Sequence, residues 1–420
     1  MKLSDRILMQ PDKSPKPFSE FHSPHPIAGR RVVLAGFVLA VFAWGMGFYG
    51  LSVYSQFLGV QGRWSLGMMS AATTAYFVAG SVCIGLSDRL ARVIGRRPVA
   101  LTGIILLAGG ACSLPHVQSA AGLFLAYAVM ALGWASTSGT AITQIVGAWF
   151  IDRRGLAVSL ALSGASVAGF TVVPVMVWQI ALWGNAVGIA VAACGFGVLA
   201  LVAVASLVEQ PEDGAATRES SSIRAEPVLL RWTRQQVLLV ATFTVGLLAQ
   251  VIFLAHQLPI LTPRVGPEGA ALAVGITTAA ALAGRVGMGV FLDRVDHRTI
   301  LAACFASQVV GLGLLLFTDS LAGVITACVL FGLSVGNLIT LPALFVQREY
   351  PAPQFGLVVS RVWSYSQFFY AFGPLLAGLL IESSGSGNSA IIVSMVLQLT
   401  GIALCLSRRS ADRPTVGQAA

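Results

Sequence analysis

The chain has 420 residues, of which 56% are hydrophobic and only 10% are charged, and its formal net charge is +9 at pH 7. Soluble domains carry about 25% charged residues. This composition, with a mean hydropathy of +0.81, excludes an ordinary soluble protein and indicates a polytopic membrane protein. The basic excess lies beside apolar segments, so it does not indicate a nucleic-acid partner.

The chain begins with a polar tail, residues 1–31, which has no apolar core near its start and is not a cleavable signal peptide. A membrane-spanning helix needs about 20 apolar residues. By this measure the sequence predicts twelve spans, numbered here in chain order: 32–58, 66–86, 98–115, 120–146, 155–181, 184–207, 236–258, 268–292, 299–318, 320–345, 356–381 and 388–407.

A polar, charged and Ser-rich segment, residues 208–235, separates spans 6 and 7 and is predicted to be a flexible linker. It divides the chain into an N-terminal half, 32–207, and a C-terminal half, 236–407, followed by a tail at 408–420. The predicted fold is therefore an all-α polytopic membrane protein, with twelve transmembrane helices in two pseudo-symmetric six-helix bundles.

The arginines and lysines predict the orientation, because cytoplasmic segments are enriched in both residues. With both termini in the cytoplasm, the cytoplasmic segments hold 22 of the 26 basic residues, and the opposite side holds only Arg63 and Arg264. Arg285 and Arg361 remain inside spans. We therefore expect a multi-pass protein of the cell inner (plasma) membrane with cytoplasmic termini.

The two halves repeat a motif at the end of an apolar span. Span 2 ends "AGSVCIGLSDR" (Ala79–Arg89), and span 8 ends "AGRVGMGVFLDR" (Ala283–Arg294). Both place a glycine and then Asp-Arg before a short basic loop. Parallel repeats of this kind place the substrate site near the midplane, between the halves.

Twelve spans, the six-plus-six division and this loop motif resemble the major facilitator superfamily over roughly residues 40–406. The loop between spans 2 and 3 departs from the family pattern, because Gly85 stands three residues before Asp88 instead of four, and "LARVI" adds a helical turn before Gly95. The residues that match the motif in the two halves are Gly85, Asp88, Arg89, Arg96, Gly289, Asp293, Arg294 and Arg298.

In the family this motif is a gate latch, whose carboxylate pairs with basic groups and a neighbouring helix N-terminus while the transporter faces outward. The resemblance implies the same role for Asp88 and Asp293. The alternative is that both carboxylates only cap helix ends and balance local arginines.

A narrower resemblance lies in "AWFIDRRGLAVSLALSGASVAGFTVVP" (Ala148–Pro174). This stretch is similar to the branch that contains monocarboxylate transporters and oxalate:formate antiporters. That branch anchors its carboxylate substrate with an arginine in span 8, and Arg285 stands at the matching place. The motif is not specific to one substrate.

Arg285 is the one well-embedded charge that the sequence predicts. All 17 acidic residues fall in tails, loops or helix ends. A charged arginine at the bilayer centre costs about 2.5–3.5 kcal/mol even on a lenient scale. With no acidic partner at that depth, we expect Arg285 to bind a carboxylate through its planar guanidinium. The alternatives are that it snorkels to the cytoplasmic face or binds backbone carbonyls.

Other polar residues in the spans are further candidates for substrate binding. His256 could carry a coupled proton, or it could only hydrogen-bond a neighbouring helix. Arg361 lies near the cytoplasmic end of span 11 and could reach the interface. The full set predicted beside Arg285 is Tyr49, Gln144, His256, Asn337, Gln367 and Arg361.

The sequence thus predicts a secondary transporter of a small organic anion, with a monocarboxylate favoured, working by alternating access through proton symport or anion exchange. The alternatives are efflux of hydrophobic compounds or drugs and, ranked lower, a non-transporting sensor or scaffold. We expect no enzyme, since the sequence lacks paired carboxylates or a nucleophile–base set. The six cysteines form no metal-binding pattern, so no metal or cofactor is expected. The family resemblance implies a monomer.

Overall fold

The computed structural model of the protein describes residues 26–60, 63–147, 149–150, 154–207, 232–291, 295–350 and 355–407. In these ranges the regular secondary structure is entirely helical. Eleven segments of the described chain are long and apolar enough to cross a membrane. The prediction of an all-α, multi-pass membrane protein is therefore confirmed.

The helices follow the predicted spans closely, with π-helical segments in span 1 at Gly45–Tyr49 and Ser55–Val60. The α-helices are Pro26–Trp44, Gly50–Tyr54, Leu66–Ile94, Arg96–Ser113, Ala120–Thr137, Gly139–Gly147, Arg154–Leu162, Gly164–Ala205, Arg234–Ala255, Gln257–Phe291, His297–Leu315, Leu321–Glu349, Phe355–Tyr370, Gly373–Ser384 and Asn388–Ser407.

Two of these helices fold back on themselves at a glycine. Helix Gly164–Ala205 has 42 residues, which at 1.5 Å per residue is about twice the ~30 Å thickness of the hydrocarbon core. It reverses at Gly184, where φ is 79°, a backbone angle that glycine adopts without steric cost. Gly266, with φ 73°, makes the same turn between spans 7 and 8. The first of these helices therefore holds two segments of membrane-spanning length, one on each side of its turn.

The two glycine turns identify one face of the protein, which we call the distal face. The opposite face, which carries Gly95, is called the proximal face. In the predicted orientation the proximal face would be cytoplasmic.

Two predicted span boundaries were wrong. Span 2 continues as helix to Ile94, and only Gly95, with φ 93°, separates it from the helix that starts at Arg96. Span 7 was predicted to end at residue 258, but the helix that starts at Gln257 continues past that residue to the turn at Gly266. Pro259 fits there because it falls in the first turn, where its missing N–H leaves no hydrogen bond unmade.

The apolar core is continuous between the two halves only toward the distal face. One cluster joins Tyr54 and Met69 of the N-terminal half to Phe253 and Phe331 of the C-terminal half. A second cluster, which includes Phe345, comes from the C-terminal half alone and lies toward the proximal face. The two halves are therefore packed together on the distal side.

Span 2 presents one helical face to the opposite half at this contact. Gly67, Ser70 and Thr74 are spaced i, i+3 and i+7 and so lie on the same side of the helix. Each forms a hydrogen bond across the interface, at 3.0, 2.7 and 3.1 Å respectively. Their partners are the Glu382 carboxylate, the His256 ring and the Leu375 amide.

Breaks in the C-terminal half release backbone donors that the other half accepts. Span 7 breaks at His256, and the Leu258 N–H donates to Ser52 Oγ at 2.9 Å. Span 11 breaks before Gly373–Ser384, and the Leu375 N–H donates to Thr74 Oγ1. Orphan amides at helix starts need such partners. We call these contacts and those of Gly67 and Ser70 the distal gate.

Arg264 holds together the distal ends of three spans in the C-terminal half. Its side chain is 13% exposed, and it comes from the end of span 7. It donates to the carbonyls of Leu315 and Thr318 at 2.6 and 3.1 Å, to Asp319 Oδ1 at 2.9 Å and to Asn388 Oδ1.

Replacing Arg264 with alanine should lower the midpoint of thermal unfolding by about 5 °C, because several charge-assisted hydrogen bonds worth about 1.5–3 kcal/mol each are lost together. Scanning fluorimetry of the purified protein measures the shift. Arg63→Ala is the matched control, since Arg63 is exposed on the same face. Equal midpoints for the two variants would contradict the assigned role of Arg264.

Candidate functional site

Arg285 reaches into the middle of the membrane-spanning region. A Cβ built on Gly336 of span 10 would lie 3.0 Å from Arg285 Nε and 3.2 Å from Nη2. Gly336 is 13 residues from Glu349, the proximal end of its helix, which corresponds to about 20 Å. The direction follows from helix geometry, because Cα–Cβ bonds tilt toward the helix N-terminus, which in span 8 is distal. The guanidinium therefore points away from the proximal face.

The Arg285 guanidinium retains unused hydrogen-bonding capacity. Its Nε is buried and has no hydrogen-bond acceptor among the residues that the structure describes. Among the described side chains no carboxylate forms an ion pair with it. Buried polar groups in proteins are nearly always hydrogen-bonded, so this donor is available to an anion.

Tyr49 of span 1 is the residue of the N-terminal half that lies near Arg285. It is 8% exposed and lies within electrostatic range of Arg285. It ends the π-helical segment Gly45–Tyr49, and π-helical turns occur frequently at functional sites. Arg285, Gly336 and Tyr49 thus form a site between the halves, which we call the central site.

Aromatic rings cluster around the part of span 1 that carries Tyr49. The rings of Trp44 and Trp134 meet edge to face at 5.2 Å between centroids. Phe48 contacts Phe77 at 6.0 Å, and Phe77 contacts Tyr370 of the other half at 6.3 Å. The sequence prediction missed Trp134 and Phe77, because aromatic residues in spans are as often packing groups.

Asn337 and Gln367 were also predicted to bind the substrate. Asn337 follows Gly336, but its Nδ2 donates to the Leu333 carbonyl at 3.1 Å and approaches Cys304 Sγ of span 9 at 3.8 Å. Its side chain therefore faces span 9. Gln367 is half-buried on span 11.

The structure places Gln144 and Arg361 near the proximal face. Gln144 lines a narrow cleft with Ser87 and Arg96, between the ends of spans 2, 3 and 4. Arg361 donates to Gln236 Oε1 at 2.9 Å, and its guanidinium lies 4.6 Å from the centre of the Trp232 ring. These contacts engage Arg361 at the start of span 7.

His256 lies at the distal gate. It is 1% exposed, and its Nε2 is 2.7 Å from Ser70 Oγ. It is therefore separated from the proximal face by most of span 7.

The latch motif of the N-terminal half lies on the proximal part of span 2. Gly85 and Arg89 are helical, and Arg89 and Arg96 are exposed. The Asp88 side chain is outside the described part of the molecule. Its pairing therefore stays a prediction.

The latch copy of the C-terminal half is described only in part. Asp293 and Arg294 lie outside the described residues, as do the surroundings of Gly289. Arg298 pairs with Glu349 at 3.2 Å, which joins spans 9 and 10 of the same half. Within the described ranges, no group of three His, Cys, Asp or Glu side chains could hold a metal ion.

Comparisons with known proteins agree with this architecture. The model of the major facilitator superfamily matches residues 33–368. Monocarboxylate transporter 13 of Rattus norvegicus is 24% identical over 327 residues, covering 75% of this chain and 74% of the relative. The fujikurins efflux protein of Gibberella fujikuroi is 24% identical over 332 residues, covering 75% and 68%. The MFS transporter asaE of Aspergillus flavus is 26% identical over 274 residues, covering 63% and 60%.

Solved structures share the fold at low sequence identity. The crystal structure of the nucleoside transporter NupG superposes with a TM-score of 0.69 at 12% identity, covering 92% of this chain and 100% of the other. The crystal structure of the peptide transporter POT in complex with sulfate gives 0.67 at 15% identity, covering 92% and 94%.

Proposed function

Because the chain belongs to the major facilitator superfamily, and is thus a membrane transporter and not an enzyme, we propose that it moves a small organic anion with a single carboxylate. Transport proceeds by alternating access, as the two halves open in turn to the two sides of the membrane. The distal gate is then the closed gate of a state that faces the proximal side.

The observation that carries this proposal is the Arg285 Nε, which is buried without a hydrogen-bond acceptor among the described residues. A buried charge normally has a partner, and the described residues supply no carboxylate to it. Arginine binds a carboxylate through two parallel hydrogen bonds. A substrate carboxylate would satisfy the Nε donor and neutralise the charge. One fixed cation at this depth favours a monocarboxylate over a dicarboxylate.

The aromatic rings favour a substrate with an apolar body. The Phe48 ring contacts the Tyr49 ring, and Trp44, five residues before Tyr49 on span 1, contacts Trp134. Ligand sites generally combine apolar walls of this kind with a few fixed polar groups. The likeness to the rat monocarboxylate transporter supports an acid. The two fungal relatives support the second candidate, efflux of hydrophobic compounds.

The sidedness and coupling are part of the same proposal. The distribution of basic residues supports a cytoplasmic proximal face, and the membrane we propose is the inner (plasma) membrane of the cell. The protein works as a monomer. Coupling is by proton symport or by exchange for another anion.

Uptake into proteoliposomes that contain the full chain tests the substrate class. The assay compares radiolabelled monocarboxylates of increasing apolar size with their neutral amides and with dicarboxylates. We expect saturable uptake of monocarboxylates and little uptake of the amides. A proton gradient and internal unlabelled acid, applied separately, distinguish symport from exchange. Equal transport of acids and amides would contradict the proposal and favour efflux of hydrophobic compounds.

A further inference from the structure

His256 occupies the break in span 7, at the contact between the halves. Its ring is 1% exposed, and Nε2 lies 2.7 Å from Ser70 Oγ of span 2. The other ring nitrogen, Nδ1, is buried and has no hydrogen-bond partner in the described part of the chain. The ring is thus hydrogen-bonded at Nε2 but has a polar atom without a hydrogen bond at Nδ1.

The two contacts of Ser70 Oγ identify which nitrogen of the His256 ring carries the hydrogen. Ser70 Oγ also lies 2.6 Å from the carbonyl oxygen of Leu66. A carbonyl only accepts, and a hydroxyl has one hydrogen, so Ser70 donates to Leu66. The His256 Nε2 must then be the N–H that donates to Ser70. Nδ1 is consequently a bare lone pair, ready to accept a proton.

We propose that His256 Nδ1 is a proton-binding site that opens the distal gate. A proton at Nδ1 in the closed gate would create a buried imidazolium with an unpaired N–H, and both features are costly. Separation of the halves on the distal side lets water reach the ring and solvate its charge. The open state therefore binds the proton more tightly, and by reciprocity the proton favours the open state.

The groups that face this contact from the neighbouring spans do not offer His256 a counter-charge. Glu382 of span 11 is one helical turn farther out, where it accepts from the Gly67 amide. Arg264, on span 7 like His256, is engaged with Asp319. Phenols are uncharged near neutral pH. The other titratable or charged groups on the neighbouring spans are the Cys328 thiol of span 10, which accepts from Gln257 at 3.5 Å, and Tyr49, Tyr54, Tyr76, Arg285 and Tyr370.

This linkage between proton binding and gate opening determines how the gate responds to pH. Acidification on the distal side raises the ratio of open to closed gate, by at most about tenfold per pH unit for a single proton. Alkaline conditions leave the ring neutral and the gate closed. The inference rests on the proposed function only in assuming that the halves separate at the distal face.

Spin-label distances across the distal face test the inference without substrate. After replacement of the six native cysteines by alanine, Gln118→Cys and Phe317→Cys provide exposed labelling sites in the two halves. Double electron–electron resonance on the full chain in lipid nanodiscs, between pH 5 and pH 8, reports the two populations. We expect the longer distance to gain population as the pH falls. A distribution that does not change with pH would overturn the proposal.

Two variants separate His256 from the nearby carboxylate. His256→Gln keeps a side-chain N–H for Ser70 but does not titrate, so the gate should close and its pH response should be lost. Glu382→Gln should keep the pH response. The opposite pattern, a response that survives in His256→Gln and disappears in Glu382→Gln, would overturn the proposal and assign the proton to Glu382. Because no substrate is added, failure of carboxylate transport leaves this result unaffected.

Discussion

Arg285→Ala is expected to abolish saturable carboxylate uptake, with a fall in kcat/KM of at least about 100-fold. The reason is the loss of two charge-assisted hydrogen bonds, each worth about 1.5–3 kcal/mol, in a site where the described residues offer no other cation beside Tyr49 and Gly336. Arg285→Lys keeps the charge without the planar fork. It should retain measurable uptake with kcat/KM reduced about tenfold.

Uptake of labelled monocarboxylate into proteoliposomes measures both effects. Size-exclusion profiles and the midpoint of thermal unfolding show whether each variant is folded. Arg63→Ala removes an exposed arginine at the distal face and should transport like the unchanged protein. If Arg285→Ala took up every accepted acid at the original rate, Arg285 could not be the anchor.

Gly336→Ala is expected to give the second largest loss of transport. The added methyl carbon would lie 3.0 Å from Arg285 Nε and 2.8 Å from the Ala281 carbonyl oxygen. Both separations are shorter than ordinary van der Waals contact, so the guanidinium must move and spans 8 and 10 must separate slightly. Since misplacement by about 1 Å can cost about 100-fold in a positioned site, we expect uptake to fall 10-fold to 100-fold.

The matched control for this change is Gly287→Ala, two residues from Arg285 on the same span. No atom lies within 4 Å of a Cβ built there, so uptake should stay within about twofold of the original. Substrate affinity is measured by competition with unlabelled acid. A Gly336→Ala protein with unchanged KM and rate would show that Arg285 does not need its present position.

The depth of Arg285 could be predicted from the sequence because helix rise is regular. Eight residues separate it from Asp293, which is about 12 Å of helix. Its neighbours could not be predicted in this way. Tyr49 and Gly336 come from spans 1 and 10, and which residues of remote helices meet depends on their relative rotation and height. A single sequence carries little information on either.

The hydrogen bonds of the distal gate also could not be predicted from the sequence. Ser52 and Thr74 are ordinary small polar residues of apolar helices, which often bond within their own helix. Their role appears only because spans 7 and 11 break opposite them and release the amides of Leu258 and Leu375. His256 was predicted as either a proton carrier or a helix–helix contact. The geometry makes it a contact to Ser70, and the proton role stays a prediction.

The π-helical segment Gly45–Tyr49 should make span 1 tolerant of the in-frame deletion of one residue. Each residue of an α-helix turns the chain by about 100°, whereas a π turn holds one residue more between its hydrogen-bonded groups. Loss of one codon in this segment can therefore be absorbed by a return to regular α-helix. Such an allele would encode a folded protein in which Trp44 has turned relative to Tyr49. Deletion alleles here would separate the loss of activity from the loss of folding, which substitutions in the packed core rarely do.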